Sequence, residues 1–243
     1  MQFKKIVGFG DSWMYGDELM DPKYIKQNPN GHYSDEQNFP YRLKHCFLGQ
    51  LGIHYGVPTE NFGIPGGSLG STMWTFQWWL DHEPLPLDEC LVLVALTNSD
   101  RITHYNPNHV HYSDDPPWNK FVHSTWVNFG SSVVPDAYAQ MIKSQIVLTD
   151  CRALSMLNYQ QAVLFFDGVA ARNNIPTIQF NIMPAERPVP NTPTLPEPNF
   201  AWTLWFRDHP GNQRRELICK DGHPNEIGHT LIRDHLISQI DMC

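Results

Sequence analysis

Basic residues are scarce in this 243-residue chain. Its 17 Lys and Arg stand against 25 Asp and Glu, a formal charge of −8, and they form no cluster. That argues against binding duplex nucleic acid, because phosphate neutralisation takes grouped Lys and Arg. Long apolar runs are also missing: none approaches the roughly 20 residues that span a bilayer. After Met1-Gln2-Phe3-Lys4-Lys5 the apolar stretch runs only from Ile6 to Phe9, well short of the roughly 7–15 residues of a signal peptide. The expectation is an intracellular origin, with virion association or release by lysis still compatible. Cysteine is sparse, at five residues with no CxxC spacing, which reads as free thiols rather than a disulfide framework or a zinc site. Charged residues make up only 17%, whereas 41% are hydrophobic and 12% aromatic. That balance excludes intrinsic disorder. The length suits a single domain over 1–243 with a substantial core.

Hydrophobic patterning supplies the frame. Lys5 to Phe9 reads as a buried strand stopped by Gly10-Asp11-Ser12. Phe39, Leu43, Phe47 and Leu51 predict one helix across 36–51. Glu60 to Ile64 is a weak strand running into Pro65-Gly66-Gly67-Ser68, followed by an aromatic-rich helix over 70–81. Cys90 to Leu96 is apolar throughout, as a parallel strand covered on both faces should be. Helical pattern follows from Pro135 to Asn174, then a strand from Pro176 to Ile182, then an amphipathic helix from Pro224 to Ile240. Apolar strands alternating with helices predict a parallel sheet between two helical layers, a three-layer α/β/α sandwich. Two irregular insertions, about 101–135 and 184–216, hold clustered His, Trp and Pro. They are expected to cover the site and select the substrate.

Four short motifs follow predicted strand ends or the last helix start, where functional groups collect in such sheets. They are Phe9-Gly10-Asp11-Ser12-Trp13, Asn61-Phe62-Gly63-Ile64-Pro65-Gly66-Gly67-Ser68, Thr97-Asn98-Ser99-Asp100, and Asp221-Gly222-His223-Pro224-Asn225. Taken singly, each has a plain structural reading. Ser12 can cap a helix, Gly66-Gly67 can form a tight turn, Asn98 can bond its own backbone, and Asn225 can cap the last helix.

Together and in this order, the four motifs resemble the blocks of the SGNH (GDSL-like) hydrolases across residues 9–229. The resemblance implies a flavodoxin-like, mainly parallel five-stranded sheet and hydrolysis of an acyl ester without a cofactor or metal. The substrate would be a small molecule or an acylated carbohydrate, such as an acetyl ester. It makes Ser12 the nucleophile and His223 the general base. The oxyanion hole would be the Ser12 and Gly66 backbone N–H groups with the Asn98 side-chain amide. Asp11 and Trp13, flanking Ser12, are candidate substrate contacts.

Two departures bear on mechanism. Leu96 and Ser99 replace the third block's Gly and Asp. Lys220 stands where the family places its acid, three residues before the histidine, and Asp221 stands two before it. Either Asp221 orients His223, or a backbone carbonyl near Cys219 or Lys220 does so in a Ser–His dyad. The alternative function is a binding or structural protein on the same fold with a degraded site. Two competing motifs are weaker. Gly66-Gly67-Ser68-Leu69-Gly70 matches the α/β-hydrolase nucleophile elbow but lacks a strong strand before it. His104, His109 and His111 near Asp114 and Asp115 match no zinc template. His229, in the last helix, reads as structural.

Overall fold

A computed structural model describes residues 3–33, 35–97, 99, 101–105, 126–129, 151–182, 202 and 214–242. The strands are β1 (Lys5–Gly10), β2 (Thr59–Gly63), β3 (Cys90–Leu96), β4 (Ile102–Tyr105), β5 (Trp126–Phe129) and β6 (Thr177–Asn181). The helices are α1 (Ser12–Tyr15), α2 (Pro22–Gln27), α3 (Phe39–His45), α4 (Phe47–Tyr55), α5 (Leu69–His82), α6 (Cys151–Asn173), α7 (Arg214–Leu217) and α8 (Glu226–Ile240). The main sheet is parallel in the order β2-β1-β3-β6. Among the described residues it has four strands, against the five expected.

Every residue of β3 is fully buried, which explains its unbroken apolar run. Its alternate side chains enter two separate cores. Leu91, Leu93 and Ala95 join Ile6 and Phe180 against Phe47, Leu48 and Leu51 of α4 and Ile232, Leu236 and Ile240 of α8. Val92, Val94 and Leu96 join Val7 and Phe9 against Phe76 and Trp79 of α5 and Val163 and Phe166 of α6. The sheet is therefore the middle of three layers, and both helical layers exclude water from it. Trp202, from the second insertion, is buried in the first core, with its ring edge-on to His235 at 5.3 Å.

Three elements differ from the sequence expectation. The helix over 36–51 is broken in two at Cys46, whose backbone is extended (φ −66, ψ 157). The Phe47 N–H, which starts the second helix, donates to Nδ1 of His229 on α8, so a tertiary contact fixes where α4 begins. That helix also passes through Gly52 and ends at Gly56 in the left-handed region. Within the stretch expected to be irregular, β4 and β5 pair antiparallel as a separate two-stranded sheet. Of the two insertions, 106–125, 130–135, 184–201 and 203–213 lie outside the described residues, His109, His111, Asp114 and Asp115 among them, as does the segment 136–150.

Candidate active site

Because the strands run parallel, β1, β2 and β3 end on the same edge. Gly10 is paired with Gly63, and the Ile64 N–H donates to the Gly10 carbonyl at 2.9 Å. Three short structures are built on these ends.

The first carries Ser12. Asp11 caps α1, its Oδ1 accepting from the Trp13 N–H at 3.0 Å. The helix is four residues long and closes at Gly16 in the left-handed region. Asn61 fastens it to β2: Nδ2 donates to the Met14 carbonyl at 2.7 Å, and Oδ1 accepts from the Gly63 N–H at 2.9 Å. The fit is close enough that a Cβ on Gly63 would stand 2.3 Å from the Tyr15 backbone nitrogen. Two residues past Gly16 the chain enters the left-handed region again at Glu18 (φ 64). That conformation costs a non-glycine residue on the order of 1 kcal/mol and is found mostly where surrounding contacts impose it.

The second follows β2. Ile64-Pro65-Gly66-Gly67 is a type II turn, with the Gly67 N–H donating to the Ile64 carbonyl at 2.7 Å and Gly66 at φ 70. Gly66 is exposed. Neither its N–H nor that of Ser12 donates to another of the described residues. Ser68 then begins α5 as a reciprocal capping box with Ser71 and is fully buried. It is a helix cap, and its hydroxyl is closed to any substrate. The third structure follows β3, where Thr97 and Ser99 are buried; Asn98 and Asp100 lie outside the described residues.

His223 reaches this edge from the far end of the chain. Its loop is a tight turn closed by the Cys219 N–H on the His223 carbonyl (2.7 Å) and the Gly222 N–H on the Cys219 carbonyl (3.2 Å). Asn225 caps α8 through the Gly228 N–H. Nε2 of His223 lies 2.9 Å from Ser12 Oγ, and Nδ1 lies 3.0 Å from Glu18 Oε2. A carboxylate is an acceptor, so Nδ1 carries the proton and Nε2 is left to accept from the serine hydroxyl. A second carboxylate, Asp17 Oδ2, is 3.8 Å from Nε2.

The acid beside the imidazole is therefore Glu18, where Asp221 was expected. The Cys219–Gly222 turn leaves Asp221 exposed at its apex, and only its backbone N–H faces inward, donating to Glu18 Oε1 at 3.0 Å. The expected substrate contacts change as well. Asp11 is wholly buried and its carboxylate is consumed by Trp13, Thr97 and Arg101. Trp13 is buried in the core below α1.

Negative charge concentrates around the histidine. The Tyr33 phenol is pushed up to about 12 by burial and by the charges of Asp17, Glu18 and Asp221. The Cys219 thiol is pushed up to about 11 by burial and by Glu18 and Asp221, so it is a poor nucleophile. His229 is fully buried, and burial followed by the charge of His223 lowers its pKa to about 3. It is a neutral packing residue that accepts from Phe47. Among the described residues no group of three metal-ligating side chains forms, and no helix is long and apolar enough to cross a membrane.

No protein-family model matches the chain, and no curated protein matches it by sequence. Several solved structures are similar to it. A lipolytic protein of the G-D-S-L family from Desulfitobacterium hafniense is 12% identical with a TM-score of 0.39, covering 96% of this chain and 97% of that one. The psychrotrophic esterase EstA from Pseudoalteromonas is 14% identical with a TM-score of 0.40, covering 98% and 97%. A variant of the acetyl-xylooligosaccharide esterase Axe2 from Geobacillus is 13% identical with a TM-score of 0.36, covering 98% and 94%. Likenesses this distant assign no activity to the chain.

Proposed function

We propose that the protein is an SGNH-type serine ester hydrolase that works through an acyl-enzyme on Ser12. The observation that carries this reading is the unbroken line from Ser12 Oγ to His223 Nε2 and from Nδ1 to Glu18, at 2.9 and 3.0 Å. A nucleophile, a base and an orienting acid in mutual contact are the requirements of a triad, whatever their order in the chain.

In the first half-reaction His223 Nε2 takes the hydroxyl proton as Ser12 Oγ bonds to the acyl carbon. Glu18 holds the ring tautomer and faces the positive charge that develops on it. The oxyanion is received by the Ser12 and Gly66 N–H groups and, by resemblance, by the Asn98 amide. Collapse of the intermediate expels the alcohol, which leaves with the proton from His223. Water, deprotonated by the same nitrogen, then releases the acid and restores Ser12. The substrate class is an acyl ester, with acetylated carbohydrates among the first to try. Asn98→Ala is expected to lower kcat by about 10²–10³.

The test pairs hydrolysis of short p-nitrophenyl esters with labelling by a fluorophosphonate. Wild type hydrolyses the esters and is labelled on Ser12, and Ser12→Ala does neither. Retained hydrolysis in Ser12→Ala overturns the assignment. A wild-type protein that neither labels nor hydrolyses any ester is a binding protein on this fold.

A further inference from the structure

One guanidinium nitrogen touches all three loops at the strand ends. Nη1 of Arg101 lies 3.1 Å from Asp11 Oδ2, 3.1 Å from the Gly67 carbonyl and 3.1 Å from Thr97 Oγ1. Thr97 Oγ1 also donates to Asp11 Oδ2 at 2.5 Å. Asp11 and Thr97 are buried, and the Arg101 side chain is 21% exposed. Each of the three acceptors is the chain neighbour of a donor in the proposed oxyanion hole. Asp11 precedes Ser12, Gly67 follows Gly66, and Thr97 precedes Asn98.

We propose that Arg101 is a positioning residue that fixes the spacing of the oxyanion-hole donors. The inference rests on the ester-hydrolase reading and deepens it. An oxyanion hole works because its dipoles already point where the charge will appear. Here the donors come from three separate turns, and Gly66 stands exposed at the tip of its own: a Cβ there would meet nothing within 4 Å. Asp11 and Thr97 are tied to each other directly, and among the described residues it is Arg101 that links the Gly67 carbonyl to their side chains. The Ile64 N–H on the Gly10 carbonyl holds the start of the Gly66 turn, and the guanidinium holds its far side at Gly67, so its loss lets the Gly66 N–H tilt relative to Ser12. A displacement of about 1 Å is enough to cost roughly 10² in rate. The guanidinium reaches farther than the ammonium of Lys and is held as a planar group, whereas Lys ends in a point charge on a flexible stem, so Lys replaces it only in part.

The experiment compares wild type, Arg101→Met, Arg101→Ala and Arg101→Lys on p-nitrophenyl acetate, with fluorophosphonate labelling rates and thermal unfolding measured on the same samples. Expected is a fall in kcat of about 10² in Arg101→Met, with KM nearly unchanged. The labelling rate should fall in parallel, since phosphonylation of Ser12 uses the same hole. Arg101→Lys should recover only a part, and added guanidinium at millimolar concentration should restore some kcat to Arg101→Ala. Arg101→Lys keeps the charge beside buried Asp11, so it tests the proposal even if the Met variant unfolds. A lowered Tm with kcat unchanged makes Arg101 merely structural and overturns the proposal. So does a raised KM at constant kcat, which makes it a substrate-binding residue. An inert wild type that fails to label overturns the hydrolase reading itself, whereas an active wild type with fully active variants overturns only the role of Arg101.

Discussion

Glu18 holds His223 at two points. Its Oε2 accepts from ring Nδ1 at 3.0 Å and from the backbone N–H of the same residue at 3.3 Å. Position and tautomer of the ring are thus set by one carboxylate. Glu18→Gln is expected to lower kcat on p-nitrophenyl acetate by about 10²–10⁴, because the amide can present a donor to Nδ1 and favour the wrong tautomer. Asp221→Asn should stay close to wild type, since only its backbone meets Glu18. The reverse ranking in steady-state kinetics would return the role to Asp221.

Ser68→Ala separates the two candidate serines. Ser68 caps α5 and is buried, so its loss should cost about 1 kcal/mol of stability in urea unfolding. Ester hydrolysis should persist once the folded fraction is accounted for. Loss of turnover in a fully folded Ser68→Ala would contradict the Ser12 assignment.

The frame was legible because burial writes itself into sequence. The apolar run Cys90–Leu96 marked a strand packed on both faces, and the Gly-Asp-Ser turn marked its neighbour's end. The break at Cys46 was not legible, because it depends on a hydrogen bond from Phe47 to His229, 182 residues away. The acid was missed for a different reason. Sequence reasoning sought a carboxylate beside the histidine in the chain, while the one in contact with the ring, Glu18, comes from beside the serine. The only local sign was a pair of acids, Asp17-Glu18, just past the glycine that ends α1. Nothing in the sequence showed that Glu18 adopts φ 64. Arg101 carried no motif at all, since its partners meet only when three strands end together.

Gly63→Ala tests the seating of Ser12. The added Cβ would meet the Tyr15 backbone at 2.3 Å, and backbone cannot swing aside as a side-chain tip can. Expected is a loss of about 1–3 kcal/mol, with kcat reduced as α1 shifts. Gly168→Ala is the control: it lies in α6 with nothing within 4 Å and should be neutral or stabilising by up to about 1 kcal/mol. Equal effects of the two by calorimetry would contradict the close fit.

His229 should make stability depend on pH. Its pKa is about 3 when folded and near 6.5 when unfolded. Between these values the unfolded chain binds the extra proton, so stability rises with pH and is lost as pH falls from 6.5 toward 3. The contribution is roughly 1.4 kcal/mol per pH unit within that window. Denaturant unfolding across pH should show a shallower acid slope in His229→Gln than in wild type. Identical slopes would remove His229 as the cause.

Ser12 and Glu18 come from one short stretch around α1, and His223 arrives on the loop that leads into α8. That helix is fastened to α3 and α4 by Tyr41 and His45 on Glu226, Gln50 on Thr230 and Tyr55 on Asp241. Ser12 and His223 are 211 positions apart, so a growing polypeptide holds Ser12 without its imidazole partner until the loop before α8 has left the ribosome. The Ser12–His223 contact is in this sense completed late, when α8 docks on α3 and α4.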